Sequence, residues 1–376
     1  MNKITLIALA LMASATSFAQ TTLWNGEEEN LKNDEYHIAS FWKDGAPELV
    51  DNPEKDGINT SAHCIKFTMT NDNKIKMVKL PFGEWFKESM NGSKRISLMI
   101  KKDVNENVMV ELSDPTNGGE GYWKKQVVYY TGEGKWQKLV FDYTANGDFD
   151  YPGVMTITAQ TGNVYAEQDV YIDNIVIEEA PRINGKLFSE YNGKISGNVT
   201  LTGAWMKGSS TKADGLWKEN AYNDYEDFYK VADGITSVDL RDAQASDVDV
   251  NQFFKNPNTI VYAKDTYGDH NNVVVDGKAS KLVLTDADAN ANAIAFSCPE
   301  PFTAAKVSLT RTVRNGINSF VLPFYVGASD LGADALATFK NADDTSILFT
   351  KVDHVEANVP FITVGLKDAA ENKEFT

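Results

Sequence analysis

The residues best suited to chemistry in this chain are aromatic rings set in turn-rich stretches. Tyr122 and Trp123 follow the Gly118-Gly119 turn in Gly121-Tyr122-Trp123-Lys124, Trp85 stands in Phe82-Gly83-Glu84-Trp85, and Trp42 in Phe41-Trp42-Lys43-Asp44-Gly45. An indole in a glycine-rich loop has little core to join. It offers a rigid apolar face with a polar tip, which suits stacking on the C–H faces of a sugar while nearby polar groups read the hydroxyls. The competing expectation is that Trp42, Trp85 and Trp123 pack over the edges of the fold. Trp136 lies inside an alternating run and is expected in the core.

Catalytic patterns are missing from the sequence. It contains no Gly-x-Ser-x-Gly elbow, no His-Glu-x-x-His and no phosphate-cradling glycine loop. The histidines, His37, His63, His270 and His354, have no metal-ligand spacing among them. Asp286-Ala287-Asp288 opens like a calcium loop but has Ala291 where glycine is needed and Ser297 where a bidentate glutamate is needed. A glycosidase needs only two suitably spaced carboxylates, and no motif nominates a pair among the 53 acids. The expectation is a protein that is not an enzyme.

Composition bounds the partners. With 36 Lys and Arg against 53 Asp and Glu, the formal net charge is −17, which repels phosphate backbones, so no nucleic acid is expected. Met1 to Gln20 reads as a secretory signal, with Lys3, the apolar run Ile4 to Met12, and small residues at Ser17 and Ala19, so residues 1–19 are expected to be removed. No transmembrane segment of roughly 20 apolar residues follows, and no Cys follows the cleavage site for acylation. The expected localisation is secreted or cell-surface. Cys64 and Cys298 both sit in apolar alternating runs and read as buried small hydrophobes rather than a disulfide framework.

The elements that must position the aromatics are strands. Alternating runs occur at Ser61–Met69, Ile75–Leu80, Arg95–Lys101, Asn107–Leu112, Lys125–Tyr130, Gln137–Tyr143, Val154–Ala159 and Val170–Ile177, with Gly, Asn and Pro turns between them. In Arg95–Lys101 one face is apolar (Ile96, Leu98, Ile100) and the other carries Arg95, Ser97 and Lys101, as in a half-buried antiparallel strand. The fold class is all-β: an N-terminal jelly-roll β-sandwich over residues 20–180, closed at Glu178-Glu179-Ala180-Pro181, then a second β-rich region. In 181–300, runs such as Val199–Leu201, Ile235–Leu240, Thr259–Tyr262 and Lys281–Leu284 resemble rungs of an irregular β stack, without a strict repeat. Asp224–Val231 is the best helix, with Tyr225, Phe228 and Tyr229 on one face. Residues 301–376 form a β-rich C-terminal region that ends in what reads as a strand, so truncation is expected.

Trp24, Glu27-Glu28-Glu29, the turn Asn52-Pro53 to Ser61, the strand Gly134 to Phe141, and Tyr171-Ile172-Asp173-Asn174-Ile175 together resemble the galactose-binding-like jelly rolls that include many carbohydrate-binding modules of secreted polysaccharide-utilisation proteins. The resemblance covers about 21–180; residues 181–376 resemble β-rich C-terminal regions of similar exported bacterial proteins. It implies glycan binding by a non-catalytic module through Trp123, Tyr122, Trp85 and Trp42. It also implies a structural Ca2+ between the opening segment and the closing strand, with Glu28 and Asp173 as oxygen donors. The hydrogen-bonded alternative for Asp173 stays open. So do two other functions: a structural or adhesive cell-surface protein with protein partners, and the accessory part of a larger glycoside hydrolase.

Overall fold

The computed structural model describes residues 21–24, 39–40, 48–55, 58–69, 77–81, 94–113, 124–143, 154–159, 167–206, 223–245, 248–366 and 370–375. The chain divides into two compact units. The first comprises Met1–Arg182, Thr202–Asp224 and Asp242–Asp247, and the second Ile183–Leu201, Tyr225–Arg241 and Val248–Thr376. The described structure is all-β apart from one α-helix and short 3-10 turns, as alternating apolar runs without helical periodicity demand. Among the described residues no helix is long and apolar enough to cross a membrane.

The first unit is built from β1 (Thr21–Trp24), β2 (Ala39–Ser40), β3 (Glu48–Asp51), β4 (His63–Met69), β5 (Met77–Pro81), β6 (Lys94–Lys101), β7 (Asn107–Ser113), β8 (Lys124–Tyr129), β9 (Gln137–Tyr143), β10 (Val154–Thr158) and β11 (Gln168–Glu179). One sheet runs β3-β4-β11-β6-β9 with β1 also on β11, and the other β2-β5-β10-β7-β8. Every pairing is antiparallel. Ile65, Phe67, Ile96, Leu98, Ile100, Val108, Val110, Leu139, Phe141, Met155, Ile157, Val170 and Ile172 form one buried apolar cluster. Period-two alternation sends these side chains to the same face of each strand.

β6 departs from the half-buried strand its sequence suggested. Arg95 and Ser97, on its other face, are also buried, Arg95 to 2% exposure. The reason lies far along the chain. Arg95 donates to Asp142 (Nε to Oδ1, 2.5 Å), to both oxygens of Asp224 (2.5 and 2.9 Å) and to the Ala204 carbonyl at 2.6 Å. Asp224 in turn accepts the Met206 N–H at 2.8 Å. Ala204 and Asp224 are thus fixed on the sheet, and Ala204 and Met206 pack on Val140. Burial opposes the charge on Arg95, but hydrogen bonds and attraction from Asp224 and Asp142 outweigh it and raise its pKa. Gly203, at φ +80°, permits the close passage: a Cβ there would meet the Ala180 carbonyl oxygen at 2.3 Å.

Lys102, just past β6, is a second buried charge site at 1% exposure. Its Nζ donates to the Ala159 carbonyl at 2.6 Å and lies 5.5 Å from the centre of the Tyr130 ring. Burial lowers its pKa to about 7, against a small opposing pull from Glu106.

The second unit follows other rules. β12 (Ile195–Trp205), β13 (Ala232–Asp239), β15 (Ile260–Ala263) and β16 (Val273–Val275) pair side by side in parallel through residues 195–200, 232–239, 260–263 and 273–275, with β14 (Ala243–Ala245) parallel to the first-unit end of β12. The first three suspected rungs are therefore neighbours. The fourth, in β17 (Leu282–Thr285), pairs instead with β18 (Val307–Val313), also in parallel. Buried asparagines stitch these turns. Asn258 donates to the Thr285 and Ile294 carbonyls and accepts the Thr285 N–H; Asn272 does the same for Val283 and Pro257. They satisfy backbone groups that unequal rungs leave unpaired.

The helix α1 (Asp224–Val231) forms where expected. Tyr225 and Phe228 are buried against Phe253, but Tyr229 is exposed, because it follows Phe228 by about 100° around the axis and leaves the packed stripe. Of the cysteines, Cys64 is buried and Cys298 is exposed, since its run Ile294–Cys298 is irregular chain and not a strand. The C-terminal region holds β19 (Gly316–Phe320), β20 (Ala335–Ala342), β21 (Ile347–Val352), β22 (Phe361–Leu366) and β23 (Ala370–Phe375). β23 pairs antiparallel with β18, and the others form a sheet in the order β19-β22-β20-β21.

Candidate functional site

The turn at Asn52 to Ser61 and the closing strand, separate in sequence, meet in the first unit. Asn59 donates its side-chain amide to Asp173 Oδ2 at 2.8 Å, and its own Oδ1 accepts the Ser61 N–H. Asn174 donates to Asn59 Oδ1 and Ser61 Oγ. Asn174 has φ +45° and sits where the β11–β6 register shifts, a conformation that Asn tolerates and that kinks the strand toward the turn. Asn52 holds the other end, donating to the Ser61 carbonyl and accepting from the Glu54 N–H and Trp136 Nε1.

This closure covers the outer face of the sheet. Trp136, Cys64 and Met99 form a small buried cluster there, flanked by Val50 and Tyr171. Trp136 is buried as expected, but beneath the turn and outside the main core. Glu54 pairs with Lys101 at 2.7 Å and Lys135 at 2.9 Å; those two lysines hold its carboxyl down near about 2. Burial, with Asp173 and Asp51 nearby, pushes the Cys64 thiol up to about 12, so it is a packing group and no nucleophile.

The aromatic candidates Trp42, Trp85, Tyr122 and Trp123 lie outside the described residues, as does Glu28. The strand ends nearest them are described. Pro81, the last residue of β5, pairs with Val154, which pairs with Ser113; Lys124, directly after Trp123, pairs with Leu112. Pro81 and Lys124 therefore stand at one end of the same sheet. Ser40, two residues before Trp42, pairs with Val78 near the start of β5, and so stands toward the opposite end. A strand of this length spans roughly 15 Å.

Of the two suggested calcium donors, Asp173 is fully buried, and its Oδ1 and Oδ2 accept from the Asn174 N–H and the Asn59 amide. A cation beside it would have to use the remaining lone pairs and find further oxygens. Among the described residues no group of three or more His, Cys, Asp or Glu is placed to hold a metal. The asparagine set around Asp173 is what sequence reasoning missed; Asn52 and Asn59 stood in the noted turn, but their roles depend on β11 lying across it.

The second unit holds a cavity of about 650 Å³ between Leu282, Phe296, Phe302, Val307, Pro323 and Phe324, with Cys298, Thr303 and Asn358 in its wall. Among the described residues no acid, histidine or cation lines it, so these offer no general acid–base pair.

No family model and no curated protein matches the chain. Solved structures with similarity include an exo-β-agarase (14% identity, 43% of this chain and 26% of that one, TM-score 0.31). Others are a family 29 carbohydrate-binding module from Piromyces equi (13% identity, 42% and 89%, TM-score 0.27) and a family 16 carbohydrate-binding module (13% identity, 35% and 84%, TM-score 0.24). The chain spans about a quarter of the agarase. It is similar to these carbohydrate-binding modules in being β-rich.

Proposed function

We propose that the chain is an exported, non-catalytic glycan-binding protein whose first unit stacks sugar rings on Trp85, Tyr122 and Trp123. The observation that carries the reading is the shared sheet end of Pro81 and Lys124, from which the segments bearing these aromatics depart. Ser40, two residues before Trp42, stands toward the other end of that sheet. The closed, hydrogen-bonded turn over Trp136 leaves that indole unavailable for stacking. A structural Ca2+ at Glu28 and Asp173 belongs to the same reading.

Affinity electrophoresis across plant, host and microbial polysaccharides tests it, run with and without Ca2+. The expected result is retardation by at least one glycan, reduced ~10-fold or more by Trp123→Ala or Trp85→Ala, since an aromatic stacking contact is worth on the order of 1–2 kcal/mol. No retardation by any glycan, or retardation indifferent to Trp123→Ala and Trp85→Ala, removes the proposal. Indifference to Ca2+ and to chelator removes the cation.

A further inference from the structure

The C-terminal sheet ends in an unprotected strand. Among the described residues β21 pairs only with β20, so one of its backbone edges is open. Its residues are Ile347-Leu348-Phe349-Thr350-Lys351-Val352, with a single charge and no proline. Natural edges are usually guarded by charges, proline or a covering segment, because an open apolar edge templates pairing with another strand.

Apolar side chains here face water. Ile347 is 64% exposed and Phe339 of β20 is 60% exposed, with Leu348 and Phe349 also exposed. Phe339 and Phe349 are cross-strand partners, their rings 6.3 Å apart edge to face. Ile347 lies two residues from Phe349, hence on the same face. This ridge of Phe339, Phe349 and Ile347 is the kind of surface a monomer seldom keeps uncovered.

We propose that β21 pairs antiparallel with β21 of a second copy of this chain, joining two such sheets into one. The self-pairing is compatible with the sequence. A two-fold axis perpendicular to the sheet keeps each side chain on its own face only if it passes through a residue. Centred on Leu348, it sets Leu348 against Leu348, Ile347 against Phe349, and Thr345 against Lys351. From 344 to 352 no like charges face each other, and the Asp343–Asp353 opposition lies just beyond, which stops the register from extending. An edge with one positive charge has no means to select a strongly acidic or basic strand; its chemical complement is a neutral apolar edge like itself. The exposed apolar side chains supply roughly 300–500 Å² per copy, below the ~800 Å² of a standard stable interface, so the dimer is weak and reversible.

Sedimentation of the full chain from about 1 µM to 1 mM, the range in which so small an interface dissociates, should show a monomer–dimer equilibrium. Ile347→Lys with Phe349→Lys should weaken it ~10-fold or more by placing lysines opposite one another, with far-UV circular dichroism and the denaturant midpoint little changed because both side chains lie outside the core. In a Cys298→Ser background, Leu348→Cys should oxidise to a covalent dimer and Lys351→Cys should not. A chain that stays monomeric throughout, or a dimer indifferent to the two lysines, overturns the proposal. Crosslinking through Lys351→Cys but not Leu348→Cys overturns the register.

Discussion

The two units meet the needs of buried polar groups in opposite ways. In the first, antiparallel ladders satisfy the strands, and buried polar side chains appear where other chain is fixed on a sheet: Asp173 holds Asn59, and Arg95 holds Ala204 and Asp224. In the second, parallel strands of unequal connection leave backbone groups over, and Asn258 and Asn272 take them up one by one. The first unit covers its aromatic Trp136, whereas the second leaves Phe339, Ile347 and Phe349 in water. Polar burial therefore marks where chain is fastened, and apolar exposure marks where a sheet is unfinished.

The sharpest way to break this contrast is Arg95→Leu. It strands Asp224, and unfolding in urea should show a loss of about 3–5 kcal/mol, the cost of leaving a buried charge without its partner. Adding Asp224→Leu should recover much of that. If Arg95→Leu costs under about 1 kcal/mol, the clasp is an accessory and not a fastening.

For the second unit, Asn258→Ala should cost about 3 kcal/mol, because it abandons backbone donors and acceptors inside the stack. Hydrogen exchange should accelerate at Thr285, whose N–H it accepts at 2.7 Å. Unchanged protection at Thr285 would mean that the stack stands without its asparagine stitching.

A smaller effect concerns Lys102, where the first unit tolerates a poorly paired cation. Its folded pKa of about 7 lies below the ordinary 10.5. Between those values the unfolded chain binds a proton that the folded chain refuses, so this group lowers stability as pH falls from about 10.5 to 7 and adds no further slope below. Lys102→Met should flatten that slope and raise stability at pH 7 by ~2 kcal/mol, less what the Ala159 carbonyl loses. Denaturant midpoints taken at pH 7 and pH 10 for both proteins check it; a parallel pH dependence would show that Lys102 stays charged.

Much of the first unit was legible in the order of its residues. The eight alternating runs of 61–177 are strands β4 to β11, within a few residues, because period two is a backbone property that needs no partner to be read. α1 was legible from a different local period, the helical spacing of Tyr225 and Phe228. The candidate site was legible only in part: the Asn-rich turn and Asp173 stood out as types, but that Asn59 reaches Asp173 depends on β4 lying beside β11.

Sequence alone determined the all-β class, the positions of strands β4 to β11 and the lack of a catalytic motif, since these follow from local spacing and residue type. Only the tertiary structure decided which polar face is buried. Arg95 alternates like a solvent residue, and its partner Asp224 arrives from 129 positions away. Tyr229 and Cys298 look apolar by neighbourhood yet face water, because burial is settled by what packs against a side chain and not by what precedes it.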